Sequence, residues 1–167
     1  MRDRYRVAVY VFDRRPESVR LLCFDHTDFP DDGTQIPAGG VNQVETLEAA
    51  GAREVFEETG VQITQTRALA VQVIEDQASQ VRKVTVFLAA SALQVPGKRW
   101  RHTVPPHEGA DAGMVFDCFF LDVQQAAAAL QIDRQAEFLP LVPSDWHSVA
   151  HDALSPDAPN RIAVEAC

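Results

Sequence analysis

Three glutamates, Glu54, Glu57 and Glu58, stand at i, i+3 and i+4 in a stretch whose apolar residues recur with helical period. On an α-helix those positions share one face, about one turn apart. Carboxylates held so close repel one another, at a cost of roughly a few tenths of a kcal/mol per pair. Hard divalent cations reverse the sign, because Mg²⁺ and Mn²⁺ prefer oxygen ligands and bind anionic ones best. A solvated acidic face is the plain alternative, and three carboxylates alone do not separate the two. One turn earlier lies Gly51, which in a helix interior costs roughly 1 kcal/mol relative to alanine. Its bare backbone is read here as letting a cation or substrate approach the helix. Arg53 precedes Glu57 by four residues and is placed to orient that carboxylate through an ion pair.

The elements that must position these groups follow from periodicity. A helix is predicted from about Thr46 to Thr59, with Leu47, Ala50, Val55 and Phe56 on its apolar side and Gly60 as its C-terminal stop. Before it, the β-rich runs Arg6–Asp13 and Val19–Phe24 read as a hairpin, and 26–33 as a loop. Gln35-Ile36-Pro37 leads as a short extended piece into Gly39-Gly40. After it come β runs Ala68–Ile74 and Val81–Ala90, joined by a polar turn at 75–80. Pro96–Ala112 reads as a loop, Met114–Val123 as a buried strand and Gln124–Gln131 as an alanine-rich helix. Pro140–Cys167 carries four prolines and little periodicity, so a short helix near Asp145–Asp152 and a frayed tail are expected. Strands and helices alternate, which predicts an α/β fold, a mixed sheet covered by helices. The domain is placed at 1–143, with 144–167 as an extension of it or a tail.

Composition bounds the rest. With 167 residues, 46% hydrophobic and 23% charged, the chain suits one soluble globular domain. The net charge of −9 argues against binding a polynucleotide through a basic surface, yet divalent cations can bridge an acidic protein to a small anion. Apolar runs such as Val84–Ala90 are too short to span a bilayer, so no membrane partner is expected. The basic start of the chain runs into a strand pattern and not into an apolar signal segment. Cys23, Cys118 and Cys167 are odd in number and lack a CxxC pair, which fits a reducing, cytoplasmic setting. Cys23 and Cys118 sit in apolar strand-like runs and are read as buried small hydrophobes.

Residues 39–61 read GGVNQVETLEAAGAREVFEETGV. This resembles the Nudix box: Gly, five residues, Glu, seven residues, Arg-Glu, an aliphatic, any residue, Glu-Glu, any residue, Gly, an aliphatic. Gly39, Glu45, Arg53, Glu54, Val55, Glu57, Glu58, Gly60 and Val61 fill those places without insertion. The resemblance implies an α/β/α sandwich with a mixed β-sheet and hydrolysis of a nucleoside diphosphate linked to another group. It implies Mg²⁺, with Mn²⁺ as a substitute, on Glu54, Glu57, Glu58 and the backbone near Gly39. Arg53 and Glu45 become orienting residues, and Gly39 and Gly40 shape the substrate-binding turn, Arg53 beside them. The partner is then a small nucleotide or diphosphate, and a homodimer fits many relatives.

In such proteins the general base is a box glutamate or a later loop acid. Glu108, in His107–Asp111, is the first candidate for that loop, Asp111 the second, and Glu75 or Asp76 the third. Each is otherwise an ordinary solvated acid. Lys98, Arg99, Arg101 and His102 form a basic cluster that either contacts phosphates or is merely solvated. Trp100 and Phe29 either stack on a base or cap the core, the second being favoured. The stretch Glu75–Ser79 lacks the proline or tyrosine that marks ADP-ribose or dinucleoside polyphosphate subfamilies, so a nucleoside triphosphate or related diphosphate is left by elimination. The alternative class, a nucleotide-sensing module without hydrolysis, usually loses box glutamates, and this chain keeps them all.

Overall fold

The computed structural model describes residues 1–15 and 18–142. Parity along the first strand sets the architecture. In β1 (Arg2–Arg15), Val7, Val9 and Val11 face one way and Ala8, Tyr10 and Phe12 the other, and all six are buried. A strand buried on both faces must lie inside a sheet covered on both sides. β2 (Ser18–His26) follows, then a 3₁₀ turn at Pro30–Asp32 and the short β3 (Ala38–Gly40). Helix α1 (Leu47–Thr59) precedes β4 (Ile63–Asp76), β5 (Val81–Ala92), β6 (Arg99–Thr103) and β7 (Val115–Asp122). Helix α2 (Val123–Ala129) and 3₁₀ turns at Ile132–Arg134 and Leu139–Leu141 complete the described chain.

The sheet runs β4-β5-β1-β2-β7-β6, with β3 paired to β1 beside β2. Only β1 and β5 pair in parallel among these strands, so the sheet is mixed as expected. Ala50 and Val55 of α1 pack on Val7, Val9, Val11, Leu22 and Leu88. Ala126 and Leu130, at the other end of the molecule's sequence, pack on Tyr10, Phe12, Leu21 and Cys23 across the sheet. The two helices therefore cover opposite faces, the α/β/α layering that the sequence resemblance implied. The Tyr10 hydroxyl donates to the Gln135 carbonyl and accepts from the Phe138 amide, which ties the chain up to Val142 into the same core. The expected helix near Asp145–Asp152 and the tail, Cys167 included, lie outside the described residues. No helix among the described residues is long and apolar enough to cross a membrane.

Four local readings change. Arg99–Thr103 is an edge strand inside the segment expected to be loop; its charged composition hides an alternation in which Trp100 and His102 turn inward. β4 begins at Ile63 and not at Ala68, because register shifts at Thr64/Arg67 and Ala68/Ala70, with Gln65 at φ 56°, break its period. Phe56 is 49% exposed: it lies a step round the helix from the stripe that meets the sheet. Gly51 lies within that stripe, and a Cβ there would come 2.9 Å from a Leu88 methyl and 3.3 Å from Val9. Its bare backbone lets α1 sit close on β1 and β5, so it serves helix–sheet packing and not cation approach.

Two measurements test this core. Gly51→Leu should lose about 1–3 kcal/mol in urea denaturation from overpacking, whereas an unchanged midpoint would place the glycine away from the sheet. Burial pushes the thiols of Cys23 and Cys118 up to about 12, so both stay protonated at pH 8. The thiolate is the reactive form. Peptide mapping after native iodoacetamide treatment should therefore find neither labelled, and both labelled once the chain is unfolded.

Candidate active site

The buried stripe of α1 contains Ala50, Gly51, Glu54, Val55, Glu58 and Thr59. Two carboxylates thus occupy places where an amphipathic helix normally carries apolar side chains. Thr46 caps the helix start by accepting from the Ala49 amide at 3.1 Å, and Gly60, at φ 73°, ends it in the left-handed conformation. Trp100 donates to the Thr59 carbonyl at 2.8 Å, and a His102 ring nitrogen lies 3.0 Å from the Glu57 carbonyl. β6 thereby fastens the C-terminal turn of α1, and with it the level of Glu57 and Glu58.

Arg53 organises the carboxylates. Its Nε lies 2.8 Å from Glu45 Oε1, and its Nη2 donates at 2.8 Å to both Glu45 Oε2 and the Gly40 carbonyl. Its Nη1 reaches Glu54 at 2.6 Å and Glu57 at 3.1 Å. A guanidinium has five N–H donors, so all are taken. Arg53 is consequently placed as a clamp between the glycine loop and the helix, with no donor left for a substrate. Glu45 completes the loop by also accepting from the Asn42 amide at 3.1 Å. The Arg53 guanidinium holds the Glu45 carboxyl below its usual range, against a smaller opposing effect of burial.

Glu58 is 6% exposed, and its Oε2 accepts from the Ala38 amide at 2.9 Å. Burial raises its pKa well above the usual carboxylate value, with the charges of Glu54 and Asp111 adding to the rise. Burial also raises Glu54, although Arg53 opposes this. Gly39 is explained by Glu54: a Cβ at residue 39 would fall 2.0 Å from that carboxyl carbon. Neither Gly39 nor Gly40 has a positive φ, and a Cβ on Gly40 would meet open space, so the expected crowded turn reduces to this one contact.

These groups open onto one cavity of about 620 Å³, lined by Gly39, Gly40, Glu54, Glu57, Glu58 and the His107–Asp111 loop, with Arg4, Arg6, Phe24, His26 and Phe116 among the further walls. Glu108 and Asp111 both face it, Asp111 within 3.4 Å of His107 Nε2. Glu75 and Asp76 do not line it; Asp76 instead accepts from Ala78 and Ser79 in the β4–β5 turn. None of the basic cluster lines the cavity, and Arg99 lies 3.7 Å from Asp25 and Arg101 3.0 Å from Asp117. Trp100 packs in the core, as favoured, and Phe29 is half-exposed beside His26. Composition does not single out Arg4, Arg6, His26 or Phe116, and only the alternation of β1 points to the two arginines.

Among the described residues, no three carboxylate, imidazole or thiol groups already converge as a metal cage. Arg53 draws in Glu54 and Glu57, while Glu58 turns to the Ala38 amide. The donor chemistry still fits a hard divalent cation. Three carboxylates share one cavity wall, and burial disfavours the ionised form of two of them, a deficit that positive charge relieves.

The fold has known counterparts. Residues 3–142 match the family model of the NUDIX domain. A MutT NUDIX hydrolase from Burkholderia pseudomallei superposes with a TM-score of 0.58 at 19% identity, covering 86% of this chain and all of its own. A NUDIX hydrolase from Nitrosomonas europaea gives 0.56 at 16%, covering 88% and 90%. The NUDIX domain of Shewanella oneidensis NrtR, solved with ADP ribose, gives 0.56 at 17%, covering 80% and 82%. No curated protein matches the chain. The match over 3–142 spans most of the chain, which belongs to the Nudix family, generally pyrophosphohydrolases of nucleoside diphosphate derivatives, and is a hydrolase of that kind.

Proposed function

We propose that this chain uses Mg²⁺, or Mn²⁺ in its place, to hydrolyse the pyrophosphate bond of a small nucleoside di- or triphosphate derivative by water attack at phosphorus. The observation that carries the reading is Glu54, Glu57 and Glu58 on one wall of a cavity whose facing loop supplies Glu108 and Asp111. Glu54, Glu57, Glu58 and the backbone near Gly39 would hold the cation. When bound, it would offset charge on the pyrophosphate oxygens and polarise the phosphorus toward attack.

The protein's own share is positioning and electrostatics, which is most of what phosphoryl transfer asks of an enzyme. Arg53 holds Glu54 and Glu57 in fixed rotamers and keeps the glycine loop against α1. The Ala38 amide fixes Glu58. Glu108 is the general base in this reading, since it faces the cavity with no hydrogen bond or ion pair among the described residues; Asp111, held by His107, stands second. Phe24 and Phe116, buried and stacked on one another at 4.4 Å, back the His26 ring on the cavity wall. The NrtR domain solved with ADP ribose supports a nucleotide-derived ligand for this fold. It also leaves a second reading, nucleotide binding without turnover, which the complete set of carboxylates disfavours.

A panel of nucleoside triphosphates, nucleoside diphosphate sugars and dinucleoside polyphosphates, with products analysed, tests the reaction. Activity should vanish in EDTA and return with Mg²⁺ or Mn²⁺. Glu57→Gln should lower kcat/KM on the best substrate by about 100-fold or more; equal rates for this variant and wild type would remove Glu57 from the site. Arg53→Lys keeps the charge but not the planar fork. It should lose about 1–3 kcal/mol of stability and about 10–100-fold in activity, read by thermal melts and steady-state kinetics side by side. A melt and a rate both like wild type would show that the clamp is dispensable.

A further inference from the structure

We propose that Arg4 and Arg6 form an anion subsite, which takes a phosphoryl group of the substrate lying outside the carboxylate cluster. The inference rests on the hydrolase reading above and deepens it, because it selects substrates with a further phosphate over those whose second moiety is neutral.

Six of the described arginines are already paired. Arg20, Arg53, Arg82, Arg99, Arg101 and Arg134 each lie within ion-pair distance of a carboxylate. Arg4 makes no hydrogen bond or ion pair among the described residues, and Arg6 makes one long contact, Nη2 to the Ala38 carbonyl at 3.5 Å. Lys83, opposite Arg4 in the parallel register, has its own carboxylate in Asp133 at 3.9 Å. Arg2 likewise has no such partner but lies off the cavity, whereas Arg4 and Arg6 both line the cavity that holds Glu54, Glu57 and Glu58.

Their placement is consistent. Positions 4 and 6 point to the same side of β1, about 7 Å apart along the strand. Arg6 sits opposite Gly40 in the β1–β3 register, where no side chain screens it. The Ala38 peptide links the two halves of the site: its amide binds Glu58, and its carbonyl faces Arg6. A polyphosphate whose one end is bridged to the carboxylates by a cation would extend past Ala38 toward Arg6 and then Arg4 at the rim. In a chain of net charge −9, an anionic group there has no other unpaired guanidinium on the cavity wall. The guanidinium fork matches phosphate oxygens in geometry as well as charge.

The experiment separates this subsite from the metal site. Inorganic tripolyphosphate is titrated calorimetrically into the full chain in EDTA, so that no divalent cation contributes. Wild type should bind; Arg4→Gln should weaken binding, and Arg4→Gln/Arg6→Gln should weaken it by about 10-fold or more. Lysine at both positions should restore part of the loss, and Glu57→Gln should bind at least as tightly as wild type. Arg4→Gln alone removes no contact that the fold uses, so it remains informative should the double variant fail to fold. With Mg²⁺ present, the double variant should lose about 10-fold in its ratio of kcat/KM for a nucleoside triphosphate over a nucleoside diphosphate sugar. Equal tripolyphosphate affinity in wild type and both glutamine variants overturns the subsite, as does a wild type that binds none in EDTA. Arginine-dependent binding by a wild type that hydrolyses nothing supports the subsite and overturns the hydrolase reading instead.

Discussion

A guanidinium offers five N–H groups in one plane, and in Arg53 every one of them is spent on this protein's own acceptors. Three of those acceptors are helix or loop carboxylates and one is the carbonyl of the glycine strand. The single side chain therefore fixes the distance between α1 and β3, the rotamers of Glu54 and Glu57, and the path of the loop through Glu45. Without it, Glu54 would be a buried anion facing other anions, a state that burial already penalises. The rest of the site can be understood as what must be true for that arrangement to persist. Residue 39 must lack a side chain because Glu54 occupies its space, and Gly51 must lack one because α1 is held down on Leu88 and Val9.

The same constraint explains how much was legible in advance. Glu45, Arg53, Glu54, Glu57 and Glu58 are local in sequence, and helix geometry plus a fixed loop length suffices to bring them together. The position of Glu108 and Asp111 on the facing loop was readable only through the resemblance, because that contact joins residues some fifty positions apart. Strand parity was equally plain in β1, where six consecutive residues alternate between two buried faces. It failed in β6, where arginines and a histidine mask an alternation of only five residues, and in β4, where bulges reset the register.

Phe56 and Gly51 both depart from expectation because residue type alone does not show which side of α1 meets the sheet. The buried stripe runs through Ala50, Gly51, Glu54, Val55, Glu58 and Thr59, so two acids lie where hydrophobes are the rule. Read that way round, the exception is the signal: Glu54 and Glu58 on the inward face are harder to explain as a solvated acidic surface than Glu57 at its margin. The strongest local argument for a site is therefore the burial of these two acids, which residue type alone does not reveal.

Charge then decides how such a site works. The cavity wall carries five acids, and only Glu54 and Glu57 have their charge met by Arg53, which is itself saturated. Any anionic substrate entering meets a repulsive field unless cations lie on its path. Arg6 stands one peptide from Glu58, joined through Ala38, and is close enough that its charge lowers the Glu58 pKa against the dominant effect of burial. Positive charge is thus distributed along the cavity in two roles. Arg53 is locked to the protein and sets geometry, whereas Arg4 and Arg6 keep their donors for what comes in from solvent.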